Sequence, residues 1–150
     1  QVDNAYGEIM SSIKQKYPQA IIHGISVQRM APPGIEVIIG MSKDAQFGPV
    51  IMFGLGGVMV EVLKDVSFRI APISDKIARE MISEIKTIKL LKGARGEAAS
   101  DIDSIVDVLL RMSQLVTEFP EIMEMDINPL FVKKEGEGSI AGDARIRIGG

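Results

Sequence analysis

The chain has no cysteine and no tryptophan, one histidine (His23), and only five phenylalanines and two tyrosines in 150 residues. Without cysteine there is no disulfide framework and no thiolate to act as nucleophile or metal ligand. With one histidine, a multi-histidine zinc centre cannot form within the chain. Any metal held here must be held by oxygen. No apolar run approaches the ~20 residues that a membrane-spanning helix needs, and the opening Gln-Val-Asp-Asn lacks the basic and apolar order of a signal peptide. The cytoplasm is therefore the expected compartment, with no membrane partner. A net charge of -3 and a pI near 5.2 give no general electrostatic reason to hold nucleic acid, and no nucleic-acid partner is expected.

What is present fits one domain, residues 1–150, long enough to bury a substantial core. Nine methionines and a mean hydropathy of +0.19 are high for so few aromatics. Methionine adapts to irregular apolar surfaces, so these side chains belong either to a Met-rich core or to a surface that receives a partner.

Asp3 or Asn4 can cap a helix whose Tyr6, Ile9, Met10, Ile13 and Tyr17 recur near helical spacing, and Pro18 stops it. From Ile25 to Met30 alternation predicts a strand, broken by the fixed bend Ala31-Pro32-Pro33-Gly34. Ile35 to Met41 resumes as a strand. Its Glu36 is the one charge in an apolar run, either an edge residue facing water or a ligand contact. Ser42 to Gly48 reads as a loop and Val50 to Phe53 as a short strand. Gly54-Leu55-Gly56-Gly57 follows, a tight turn or bulge in preference to a phosphate cradle, because no third glycine of a dinucleotide fingerprint stands at Met59. Val58 to Leu63 is strand-like. In Val66 to Ala71, Ser67 and Arg69 share a face, and Arg69 is either a phosphate contact or half of a surface salt bridge. Ser74 or Asp75 starts a helix that ends before Gly93, and the loop Gly93 to Glu97, with Arg95, is a candidate mobile contact. Ser100 can cap the next helix, buried along Ile102, Ile105, Val106, Leu109 and Met112. Hairpin-linked strands plus about three helices make an α+β domain, a largely antiparallel sheet with helices packed on one face.

The stretch from Glu124 to Asp143 carries the most chemistry. In an extended strand Glu124, Asp126 and Asn128 point one way while Met123, Met125 and Ile127 point the other. Lys-Glu-Gly-Glu-Gly is turn chemistry and Ile140 to Ile148 a returning strand, so the whole reads as a hairpin. With the turn centred near Glu135 and Gly136, Asn128 lies opposite Asp143. Cross-strand Cβ atoms are roughly 4.5–5.5 Å apart, close enough for an amide and a carboxylate to share one hard cation such as Mg²⁺. The alternative is an ordinary polar hairpin facing water.

The segments Gln28 to Gly40, Phe47-Gly48-Pro49, Gly54 to Gly57, Gly93-Ala94-Arg95-Gly96 and Asp126-Ile127-Asn128-Pro129 closely resemble the ATP-grasp domain of NDP-forming acyl-CoA synthetases. They occur in that family's order and cover nearly the whole chain. The family includes ADP-forming acetate–CoA ligase and is related to succinyl-CoA synthetase; it interconverts acyl-CoA, phosphate and ADP with acid, CoA and ATP through phosphohistidine. The resemblance implies an ATP-grasp subdomain that helps to hold ATP or ADP and Mg²⁺. It places Gln28, Arg29, Met30 and Ala31 in the segment that contacts adenine and makes Glu36 a nucleotide-binding residue. Gln28 departs from the glutamate of the succinyl enzymes. Asn128 and Asp143 match the Mg²⁺ ligands of those enzymes, with Asp126 where they have glutamate. Arg69 and Arg95 receive no role.

The family's preceding half, with its phosphate-binding lysine and histidine-containing loop, has no counterpart in this sequence, and His23 does not lie in the phosphohistidine context. The resemblance therefore implies the C-terminal part of an ATP-grasp module, inactive alone. Its partners would be the N-terminal ATP-grasp half and the CoA-binding domain or subunit, and an apolar patch should be exposed where that half docks. A different class of function is a non-catalytic protein-binding or dimerisation module that keeps the fold; nucleotide binding distinguishes the two.

Overall fold

The computed structural model describes residues 2–57, 65–93, 96 and 98–149. The strand expected over Val58 to Leu63 lies outside them, as does Arg95 of the expected contact loop. The chain divides into two compact units, Gln1–Met30 and Ala31–Gly150.

In the first unit α1, Val2–Lys16, ends two residues before Pro18 and carries Asp3 in its first turn and Lys14 and Lys16 in its last, the charge order that suits a helix dipole. None of its residues is buried, and Val2, Tyr6 and Ile9 are exposed. The strand expected from Ile25 to Met30 is not formed: these residues have no regular structure. Alternation of apolar and polar residues permits an extended chain, but a strand also needs a ladder of hydrogen bonds to a neighbour, and no described segment pairs with it.

Among the described residues the second unit is built on a six-stranded sheet in which β1 (Ile35–Asp44), β2 (Gly48–Leu55), β3 (Val66–Ile70) and β4 (Ile122–Val132) run β3-β2-β1-β4. The other edge of β4 carries β5 (Ser139–Ala141) and β6 (Ala144–Ile148), and all pairings are antiparallel. The loop expected after Ser42 starts later. β1 runs on to Asp44, whose carboxylate accepts the Gln46 and Phe47 amides at 2.7 and 2.9 Å, so the aspartate builds the turn itself.

Helix α2 (Asp75–Glu84) is capped by the Ser74 hydroxyl as expected. The single helix expected up to Gly93 is instead broken, with a short α3 at Ile88–Leu91. At the break the Asp65 carboxylate accepts the Lys86 and Thr87 amides, each at 2.8 Å, and the Thr87 hydroxyl at 2.6 Å. These bonds satisfy donors that a continuous helix would have used internally. Helix α4, Ile102–Glu118, is capped by Asp101 in place of the expected Ser100.

Helices α2, α3 and α4 and one face of the sheet share a core in which Val37, Ile39, Ile51 and Phe53 from the strands meet Met81, Ile82, Ile105 and Leu109. Met41, Met81 and Met112 are buried there, so part of the methionine content is core. The opposite face is open among the described residues, with Glu36, Ser42, Glu124 and Asn128 exposed on it. Phe68 and Ile70 are also exposed. Each lies across the sheet from an outward residue of β2, Met52 and Val50, which extends the open face as an apolar strip.

Candidate functional site on the open sheet face

One irregularity shapes the open face. Val37 pairs with Leu130 and Ile39 with Ile127, so Ile38 alone stands opposite both Asn128 and Pro129. This is a β-bulge, one residue against two, a device that re-aims a side chain. Ile127 and Leu130 are both buried with two residues between them, where strict alternation allows one. The bulge resets the phase of the strand and leaves Asn128 exposed between two inward anchors.

The returning chain answers it. In place of one strand from Ile140 to Ile148 there are two, β5 and β6, interrupted at Gly142 and Asp143. Across the interruption the Gly142 amide donates to the Pro129 carbonyl at 2.8 Å and the Asn128 amide donates to the Asp143 carbonyl at 3.1 Å. Asn128 therefore does lie opposite Asp143, as the hairpin reading required. The turn also falls where expected: Lys133 N–H bonds to the Gly138 carbonyl at 3.1 Å, and Gly136 and Gly138 take φ of 79° and 77°, which glycine adopts without steric cost.

A buried carboxylate braces this turn from below. Asp101 accepts the Gly138 amide at 2.8 Å and the Ser104 amide at 3.0 Å, and its own amide donates to the Lys133 carbonyl at 2.9 Å. The Gly138 amide is the main reason that its carboxyl is held below the usual carboxylate range, with the Ser104 amide next; burial opposes both. Cap of α4 and anchor of the hairpin are thus one residue.

Asp126, partly buried, pairs with Arg145 across the β4–β6 ladder. The Arg145 guanidinium stands 3.3 Å from the Asp143 carboxylate through Nε. One ladder step further, Arg147 holds Glu124 at two points, 3.1 and 2.7 Å, and this bond pulls the Glu124 carboxyl below its ordinary value. Neither arginine is among the site residues that the sequence predicts. Asp143-x-Arg145-x-Arg147 at strand spacing was the available signal, since it puts three charges on one face.

Glu36 lies on the same face, opposite Phe131. The glycine run packs against it. Gly56 N–H bonds to the Glu36 carbonyl at 2.7 Å, and a Cβ on Gly56 would stand 3.0 Å from the Glu36 backbone. Gly57 has φ +65° and lies so near that a Cβ would come within 3.3 Å of the Glu36 carboxylate. Gly54 and Leu55 thus end β2, and Gly56 and Gly57 make a close-approach turn after it. Arg69 shares its face with Ser67 as expected, but that face is the covered one: its partner Ile51 is buried, and the guanidinium is engaged by Glu84. The salt bridge, and not a phosphate contact, is its role here. Of the expected adenine segment, Ala31 belongs to the second unit and Gln28, Arg29 and Met30 to the first.

The side-chain amide oxygen of Asn128 and the carboxylate of Asp143, two residues joined through their backbones, are hard donors of the type Mg²⁺ accepts. Among the described residues no cluster of three or more acidic, histidine or cysteine side chains could hold a metal unaided. A cation here would need further ligands arriving with it, and nucleotide phosphates and water are the usual ones.

Residues 1–148 match the ATP-grasp domain. The chain belongs to the ATP-grasp family. Among its relatives, the beta subunit of acetate–CoA ligase [ADP-forming] II from Pyrococcus furiosus is 53% identical over 144 residues, 95% of this chain and 61% of that subunit. The 4-hydroxybutyrate–CoA ligase [ADP-forming] of Nitrosopumilus maritimus is 47% identical over 99% of this chain and 21% of its own length. In structure the chain is similar to dinucleotide-forming acetyl-coenzyme A synthetase 1 of Ca. Korarchaeum cryptofilum, solved with coenzyme A and Mg-AMPPCP and with its phosphohistidine segment pointing towards the nucleotide binding site. The TM-score is 0.75 at 51% identity, over 79% of this chain and 55% of that one. This ATP-grasp chain thus spans less than two thirds of the length of these relatives. Among its described residues no helix is long and apolar enough to cross a membrane.

Proposed function

We propose that this chain supplies the nucleotide- and magnesium-facing part of an ADP-forming acid–CoA ligase, working where phosphoryl passes between ATP and a histidine of the enzyme. The observation that supports the reading is the bulge-and-break junction that joins the backbones of Asn128 and Asp143. The Asn128 amide oxygen and the Asp143 carboxylate would hold the cation, with Asp126 beside them on β4. A bound Mg²⁺ supplies charge that shields phosphate oxygens during transfer.

The chain's own residues do the positioning. Asp101 fixes the hairpin that carries the returning strand, and the Gly142 amide locks that strand's break to Pro129. Glu36, pressed by the glycine turn, would face the nucleotide itself. Transfer of phosphoryl leans on such positioning and charge stabilisation more than on covalent help from the protein. The partners are the rest of the ATP-grasp domain and the CoA-binding part of the same enzyme, and the site of action is the cytoplasm.

Phosphoenzyme formation against Mg²⁺ concentration in the complete ligase tests this. Asp143→Asn and Asn128→Ala are expected to remove most of the transfer with the melting temperature unchanged, since neither exposed side chain leaves a core cavity. Wild-type metal dependence in Asp143→Asn would place the cation elsewhere and overturn the reading.

A further inference from the structure

The two arginines of β6 are held differently. Arg147 is engaged by both Glu124 oxygens, the fork-to-fork arrangement that commits a guanidinium. Arg145 meets Asp143 through Nε alone at 3.3 Å, and its side chain is 79% exposed. Its terminal nitrogens have no hydrogen-bond partner among the described residues. Yet Arg145 stands at the candidate metal site: it touches Asp143, and it lies across the ladder from Asp126 and shares its face.

We infer that Arg145 is a working member of the nucleotide site. Its guanidinium holds the Asp143 carboxylate while no cation is there, and turns to a phosphate oxygen of the nucleotide once a divalent cation takes that carboxylate. This rests on the metal assignment above. The chemistry suits both positions. A guanidinium in contact with a carboxylate opposes a second cation at the same oxygen, and one that uses a single N–H on Asp143 keeps the rest of its planar fork for a phosphate. Arg147, already committed to Glu124, can do neither without breaking two bonds.

The consequence is a pair of effects with opposite sign. Removing the Arg145 charge strengthens binding of the cation alone and weakens binding of the nucleotide with its cation. A residue that only held the hairpin together would weaken both when removed.

The test uses the complete ligase as parent, Arg145→Gln, Arg145→Lys, Arg147→Gln and Asp143→Asn. Each is titrated with Mn²⁺ alone, free Mn²⁺ being read by electron paramagnetic resonance, and then with ADP at saturating Mn²⁺ by calorimetry. Arg145→Gln is expected to bind Mn²⁺ alone about threefold to fivefold more tightly, the scale of an exposed charge interaction, and Mn-ADP about tenfold more weakly. Arg145→Lys keeps the parent affinity for Mn²⁺ and loses part of that for Mn-ADP, because an ammonium lacks the fork. Arg147→Gln changes neither.

Unchanged or weaker Mn²⁺ binding in Arg145→Gln, or unchanged Mn-ADP binding, overturns the inference. The two readings fail separately. If Asp143→Asn weakens Mn²⁺ while Arg145→Gln does not tighten it, the metal site stands and the arginine role falls; if Asp143→Asn leaves Mn²⁺ binding intact, both fall.

Discussion

The two faces of one sheet divide the work of this chain. The same strands send Val37, Ile39, Met41, Ile51 and Phe53 into the helix-covered core, and send Glu36, Ser42, Glu124 and Asn128 to the open side. Burial of the first set supplies stability, since apolar area removed from water contributes roughly 25 cal/mol per Å². The second set contributes little to folding and puts polar and acidic side chains on the face proposed to meet the nucleotide. Because adjacent residues of a strand face opposite ways, stability and chemistry can be changed one residue apart.

The largest expected effect is on the covered face. Phe53 is fully buried, so Phe53→Ala should cost about 3–5 kcal/mol in equilibrium denaturation by lost transfer energy and an unfilled cavity. A cost near 1 kcal/mol would mean that the helices are not packed on it as described. Next comes the brace between the faces. Asp101→Ala removes the cap of α4 and strands the Gly138 amide, an expected loss of about 2 kcal/mol. Its sign with pH follows from the lowered folded-state pKa. The contribution is present above the ordinary carboxylate range and disappears as pH falls through the folded value. Denaturation from neutral to acid pH should therefore show a smaller slope in Asp101→Asn than in the parent. Equal slopes would break the assignment.

On the open face the expected effects move from folding to binding. Glu36→Gln should weaken nucleotide binding in the complete ligase while leaving the metal dependence of phosphoenzyme formation unchanged, because Glu36 lies by the glycine turn and not at the Asn128–Asp143 junction. Calorimetry with Mg-ADP beside the metal titration separates the two. A shifted metal dependence with unaltered affinity would merge what the comparison keeps apart.

How much of this could be read from the sequence depends on whether the cause was local. The hairpin turn, the Ser74 cap and the pairing of Asn128 with Asp143 follow from nearby residues: glycines where φ is positive, a hydroxyl before a helix, a turn centre that fixes register. The ATP-grasp family was legible for a different reason, as ordered motifs along nearly the whole chain. Distant causes were not visible. Asp65 breaks the helix after Glu84 from 21 and 22 residues away, and Asp101 reaches Gly138 across 37. Ile25 to Met30 failed conversely, since its alternation was real but pairing is a property of two segments. The bulge lay between these cases. Ile127-Asn128-Pro129-Leu130 shows two residues between inward anchors, yet strict alternation carried through Asn128 hid the phase change.

The smallest expected effect sharpens the comparison most, because it asks whether a charge on the open face matters merely by being paired. Arg147 and Glu124 form the best-made ion pair there, with two bonds, and Glu124 has its carboxyl lowered by that partner. Both are well exposed, at 58% and 54% of their side chains. Water and salt screen such a pair, and holding two long side chains in one geometry costs entropy that offsets the attraction. Arg147→Gln should therefore return the Glu124 carboxyl towards its ordinary value, seen in a carboxyl-carbon NMR titration, with no measurable change in melting temperature at neutral pH. The stabilisation from a lowered carboxyl exists only above its unfolded-state pKa and fades as pH falls through the folded one, so what difference there is belongs at neutral pH and low salt and vanishes in acid. A large fall in melting temperature would show that β6 is held to β4 through this pair more than through its backbone ladder, and the open face would then share in stability after all.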